Sequence, residues 1–201
     1  MTITALALVC TLKPSPEKSS SELLARQVLD ALAEHDVTGE VVRVVDFDIK
    51  PGVEHDMGNG DEWPVLREKV LAADILLIST PTWMGHPSSV THRVLERLDA
   101  DIAEKGDDGN PVFFGKVGIV AAVGNEDGAH LIAAEVFQAL DDVGFTIPAK
   151  ASTYWNDVAM GERDYLDLKE TPKTVQDATD GLARTAAHLA SLLKKTPYPA
   201  E

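Results

Sequence analysis

Short aliphatic runs punctuate the chain at residues 3–9, 41–45, 75–78, 117–123 and 145–147. They read I-T-A-L-A-L-V, V-V-R-V-V, I-L-L-I, V-G-I-V-A-A-V and F-T-I. Apolar runs of this length, rich in β-branched residues, suit strands of a parallel sheet covered on both faces. Between them the apolar positions step by three or four. Leu24, Val28, Ala31 and Leu32 follow the first run, and Val90, Val94, Leu98 and Ile102 follow the third. Ile132, Val136, Leu140 and Val143 follow the fourth, and Val175, Ala178, Leu182, Ala186, Leu189 and Leu193 close the chain. That spacing is helical, and a weaker helix is expected over residues 62–72. Five β-α repeats predict a three-layer α/β sandwich around a five-stranded parallel sheet.

No internal repeat, linker or low-complexity block interrupts this rhythm, so residues 1–201 are expected to form one domain. Residues 46–60 and 149–170 read as excursions from it, and residues 196–201, broken by prolines, as a loose tail. Composition then narrows the partners. A formal charge of −15, from 33 acids against 18 Lys and Arg, argues against nucleic acid and anionic membranes. The apolar runs are strand-sized, with no signal-peptide pattern, and the single cysteine, Cys10, suits a reducing cytoplasm. No two histidines have ligand spacing with an acidic partner, so no metal is expected.

In an open parallel sheet the ligand lies beyond the carboxyl ends of the strands, where the winding reverses. For strand order 2-1-3-4-5 that point is flanked by residues 10–19, 80–87 and 124–129. The first loop, C-T-L-K-P-S-P-E-K-S-S-S-E, offers Thr11, Ser15, Ser19, Ser20 and Ser21 hydroxyls with Lys13 and Lys18. Ser19 and Glu22 have capping-box spacing at a helix start. Such an end, with free N–H groups, can hold a phosphate or be an ordinary serine-rich cap. Residues 1–16 and 75–95 contain no Asp or Glu, which favours an anion there.

The second loop, S-T-P-T-W-M-G-H-P-S-S, spends two prolines and a glycine around an aromatic. Pro81 is expected to end strand pairing, Gly85 to take a left-handed bend and Pro87 to open the next helix. Thr82, Trp83 and Met84 would then form a ledge for one edge of a planar ring, or pack under a neighbouring loop. The third loop, G-N-E-D-G-A-H, has Gly124 and Gly128 for close backbone approach, with Glu126 and Asp127 placed to cap a helix. There is no G-x-x-x-x-G-K-[ST] and no G-x-G-x-x-G. A phosphatase loop built on Cys10 would need Arg where Pro16 stands, and a phosphoacceptor site would need a carboxylate ending the first strand.

Together, Thr11-x-Lys13…Ser19-x-Ser21, Pro81-Thr82-Trp83-Met84-Gly85-His86-Pro87 and Gly124-Asn125-Glu126-Asp127-Gly128 resemble the flavodoxin-like NAD(P)H-dependent FMN reductases. The match of order and spacing covers roughly residues 1–148. The resemblance implies FMN with its phosphate on the first loop and its isoalloxazine between the second and third. Thr11, Lys13, Ser19, Ser21, Pro81, Thr82, Trp83, Met84, Gly85, Gly124, Asn125, Asp127 and Gly128 are the expected cofactor-binding residues. It also implies NADH or NADPH as co-substrate, a small acceptor such as a quinone or free flavin, and a homodimer. Because the chemistry belongs to the cofactor, no catalytic acid or base is named. Two departures stand out: Trp83 occupies a position where Tyr is more common, and the first loop is long, with two prolines. A flavodoxin-type electron carrier is the alternative, against which residues 10–21 lack a T-x-T-G-x-T loop. A flavin-free α/β binding protein is the third reading.

Overall fold

The structure is a computed structural model describing residues 2–158 and 161–200. It runs β1 (Ile3–Val9), α1 (Ser20–Ala33), β2 (Val37–Arg43), α2 (Trp63–Ala72), β3 (Ile75–Trp83), β4 (His86–Pro87) and α3 (Ser89–Leu98). It continues with β5 (Val117–Gly124), α4 (Ala129–Asp142), β6 (Ser152–Asn156) and α5 (Lys173–Lys195). The parallel strands lie in the order β2-β1-β3-β5-β6, which is the flavodoxin-like order 2-1-3-4-5 once the short β4 is set aside. β4 folds back antiparallel on the end of β3.

Alternation along the central strands feeds two cores. Ala5, Ala7 and Val9 of β1 join Leu24, Val28 and Leu32 of α1 and Leu182, Ala186 and Leu193 of α5 on one face. Leu6 and Leu8 join Trp63, Leu66 and Val70 of α2, Val94 and Leu98 of α3 and Ile132, Val136 and Leu140 of α4 on the other. Truncating a fully buried Leu8 or Ile78 to Ala in such a core costs about 2–5 kcal/mol. Among the described residues, no helix is long and apolar enough to cross a membrane.

The three central strands lie where the aliphatic runs predict, whereas both edge strands do not. The second strand begins at Val37 instead of residue 41, with four middle positions facing outward or half-buried. The fifth is Ser152–Asn156, not 145–147; Thr146 makes only an isolated bridge to Val117. An edge strand needs no continuous apolar run, so S-T-Y-W-N, inside the expected 149–170 excursion, serves as one. Phe145 is a buried core residue, stacked on Phe113 with ring centroids 4.7 Å apart.

Candidate functional site

β1 ends at Val9, and the chain crosses a loop before α1 starts at Ser20. Ser19 is the N-cap, and its Oγ accepts from the Glu22 N–H at 3.3 Å. The reciprocal half of the expected capping box is absent, because the Glu22 carboxylate turns away to Arg43 and Arg26. First-turn N–H groups of a helix lack intrahelical partners, so this end is open to an acceptor. Ser79 Oγ donates to Ser21 O at 2.7 Å and Cys10 N to Ser79 O at 2.7 Å, which fixes the helix start to the sheet.

Arg43, the last residue of β2, is 8% exposed and paired in register with Val9. One of its terminal nitrogens donates to the carbonyls of Lys13, Pro14 and Glu17 at 3.1, 2.8 and 2.8 Å. Its other donors go to Glu22. A second tether runs from Ser15, whose N–H and hydroxyl both donate to Asp46. Burial pulls the Glu22 carboxyl upward, but hydrogen bonds and charge from Arg43 and Arg26 win and hold it below its ordinary value.

The stretch after β3 is a β-hairpin. Thr82 pairs with Pro87 and Trp83 with His86, and the turn places Met84 at φ 52° and Gly85 at φ 80°. Two positive φ values in a two-residue turn match the right-handed twist of the strands. Gly85 thus takes its expected bend, but the prolines act otherwise. Pro81 stays in the sheet opposite Val123, and Pro87 lies in β4, with Ser88 capping α3. The hairpin base is tied by buried hydroxyls. Ser88 Oγ donates to Cys10 O at 2.6 Å, Thr91 Oγ1 to Thr80 Oγ1 at 2.8 Å, and Ser88 N to Thr80 Oγ1 at 3.1 Å. The thiol of Cys10, enclosed here, is pushed up to about 12 by burial.

The third loop packs directly on that hairpin. A Cβ on Gly124 would lie 2.7 Å from Thr82 Cβ, and one on Gly128 would lie 2.5 Å from Gly85 O. These two glycines serve backbone approach as expected, but toward the hairpin. Glu126 does not cap α4; its Oε1 accepts from Met84 N at 2.8 Å, and α4 starts from Gly128 with no side-chain cap.

One cleft of about 150 Å³ joins these loops. Of the predicted residues, Thr11, Lys13, Ser19, Ser21, Pro81, Thr82, Trp83, Gly124 and Asn125 line it, while Met84, Gly85, Asp127 and Gly128 do not. Met84 is 89% exposed at the hairpin tip. Leu12, Ser20, Val123, Trp155, Asp164 and Tyr165 line it as well. Trp155 and Tyr165 stack obliquely, centroids 5.4 Å apart, and Tyr165 OH donates to Gln27 Oε1 at 2.7 Å. Burial raises the Tyr165 phenol against those hydrogen bonds. Trp155 carried a usable signal, since a tryptophan in an otherwise polar Y-W-N-D stretch asks for an apolar surface.

The cleft has two chemical ends. Ser19, Ser20, Ser21, Thr11 and Lys13 at the α1 start present donors and positive charge, which suit an anion. Pro81, Trp83, Val123 and Trp155 present flat apolar surface, which suits a ring. Between them Thr82 Oγ1 is buried without a protein partner, an orphan that a bound group's polar atom would satisfy. A phosphorylated flavin fits this donor set. Among the described residues, no group of three or more His, Cys, Asp or Glu is placed to hold a metal ion.

A flavodoxin-like sheet with a phosphate-suited helix start and a ring-suited ledge defines a flavin-binding class of protein. The profile of the NADPH-dependent FMN reductase family matches residues 3–158, and the chain belongs to that family. It is 33% identical, over 98% of its length and 81% of the relative's, to the 8-demethyl-8-aminoriboflavin-5'-phosphate synthase of Streptomyces davaonensis. The crystal structure of RosB with bound intermediate 8-demethyl-8-formylriboflavin-5'-phosphate superposes with a TM-score of 0.91 at 32% identity. That match covers 98% of this chain and 82% of RosB. A third relative is the divalent metal cation transporter MntH of Mycobacterium bovis, 40% identical over 81% of this chain. The chain spans only 24% of that protein.

Proposed function

We propose that this chain binds FMN in the cleft and acts as an oxidoreductase, drawing on NADPH or NADH and reducing a small acceptor. The observation that carries the reading is the union, in one cleft, of the α1 start with its hydroxyls and Lys13, the orphaned Thr82 Oγ1 and the apolar walls. Lys13 and the first-turn amides would hold the phosphate, while Pro81, Trp83, Gly124 and Trp155 would border the ring. Bound there, the flavin supplies hydride acceptance and electron transfer. The protein's part is to position it. The test is the visible spectrum of the purified protein, then anaerobic addition of NADPH and NADH separately. Bleaching at a rate saturable in nicotinamide, reversed by a quinone, supports an enzyme. A bound flavin that neither nicotinamide reduces directs the reading to the flavodoxin-type carrier.

A second reading is favoured by the 33% identity that runs through 98% of the chain to a flavin-phosphate synthase. In it the same cleft takes a riboflavin phosphate as substrate, and the ring itself is altered. Mass spectrometry of the flavin recovered after turnover separates the two. An unchanged mass supports the cofactor reading, and a changed ring substituent supports the substrate reading.

A further inference from the structure

The first loop lies over a helix start in a protein of charge −15, and its own helix carries an acid, Glu22, in the first turn. Left free, that carboxylate would repel any phosphate at the α1 amides, since like charges in one helix end oppose an anion. Arg43 removes the problem and shapes the loop in the same act. It comes from the neighbouring strand, where its pairing with Val9 sets it under the loop. Its side chain is 6% exposed, so it reaches no solvent anion itself and makes no part of the cleft lining.

The fork is fully used inward. Three backbone carbonyls, of Lys13, Pro14 and Glu17, converge on a single guanidinium nitrogen. That bends residues 13–17 around one point and turns their carbonyl dipoles away from the cleft. The remaining donors hold the Glu22 carboxylate, which Arg26 also binds at 2.6 Å. Only a planar, permanently charged fork can do both, and a Lys ammonium cannot reproduce the geometry.

We infer that Arg43 is a positioning residue for phosphate recognition. It never touches the ligand, but it folds the first loop and withdraws Glu22 so that Lys13, Ser19 and the α1 amides face a phosphate. This inference rests on the phosphate reading of the preceding subsection. It concerns a residue in β2 that none of the three ligand-loop motifs contains.

The test compares wild type, Arg43→Gln and Arg43→Lys by two measurements. The first is the ratio of FMN to riboflavin affinity, by flavin fluorescence titration of the apo protein. The second is amide hydrogen exchange of residues 11–19 without ligand. Arg43→Gln is expected to cut the FMN/riboflavin ratio on the order of tenfold or more, with riboflavin affinity nearly unchanged. Loop protection should fall, while amides of β1 and β5 keep theirs. Arg43→Lys should fall between, and it carries the same test if Arg43→Gln does not fold. Equal losses for both flavins would mark Arg43 as structural support only and overturn the inference. So would a wild-type ratio preserved in both variants. A wild type that binds riboflavin as tightly as FMN would instead overturn the phosphate reading, and the inference with it.

Discussion

The two ends of the cleft are built by opposite means. Around the α1 start the backbone is loop, and a side chain from another strand, Arg43, gives it shape. At the hairpin the backbone shapes itself, through ladder pairing, a positive-φ turn and two glycines that admit the Thr82 side chain and the Gly85 main chain at close range. One end is held by charge, the other by steric exclusion. Charge-held structure should respond to pH and to loss of a single ion. Sterically held structure should ignore both and fail when a single carbon is added.

The largest expected effect tests the steric end. Gly128 stands at φ 131° with Gly85 backbone where its Cβ would lie. Gly128→Val should destabilise the apo protein by about 2–4 kcal/mol and displace the hairpin. Gly85→Val, at φ 80° but with nothing nearer than Asp127 O at 4.0 Å, should cost less and leave the fold intact while lowering FMN affinity. Apo melting curves and FMN titrations for both variants decide the matter. If Gly85→Val is the more damaging of the two, the backbone contact does not organise this end.

Next comes Lys13, which lines the cleft at the other end. Lys13→Ala should weaken FMN binding on the order of tenfold to a hundredfold, with little effect on riboflavin. Gly128→Val should weaken both flavins alike. A Lys13→Ala variant that also lost riboflavin would erase the distinction between the ends.

A smaller effect concerns acid. Glu22 titrates below its ordinary value when folded, so its ion pairs stabilise the protein above the usual carboxylate range. That contribution is lost as pH falls through it. The stability gap between wild type and Glu22→Gln should therefore be present at neutral pH and close progressively as pH falls below the ordinary glutamate value toward the lower folded one. Thermal melts of the pair across that range read it directly, and a gap independent of pH would show that the Arg43 pairing contributes nothing. The smallest effect belongs to Trp83, 54% exposed on the rim. Trp83→Ala should change FMN affinity less than about tenfold and alter turnover or acceptor preference more. Steady-state kinetics with two quinones of different size test this.

Much of this was legible in the order of residues, and the gaps have physical causes. Central strands announce themselves because both faces are buried, as in V-G-I-V-A-A-V. Edge strands share one face with solvent, so the aliphatic pattern misplaces 37–43 and passes over 152–156, while the buried Phe145 and the half-buried Ile147 resemble a strand. The three loops that meet at the cleft show through hydroxyl, proline and glycine spacing. Arg43 did not, because an arginine inside V-V-R-V-V looks like a solvent-facing edge residue. Its role depends on the register that sets it opposite Val9, beneath the first loop, and local spacing does not encode register. Glu126 and Asp127 looked like caps because acids beside a helix start usually are. The hairpin, brought alongside by β3–β5 pairing, takes Glu126 instead.

The enclosure of Cys10 has a practical corollary. With its thiol fully buried and pushed up to about 12, almost none of it is thiolate at neutral pH. No second cysteine exists in the chain. Maleimide or disulfide reagents should therefore find the native protein nearly silent, and a cysteine introduced at the exposed Met84 would be labelled against an almost blank background. A fluorophore at that tip would report hairpin movement as flavin and nicotinamide are added. The chain thus comes supplied with the empty channel that a site-specific optical probe requires.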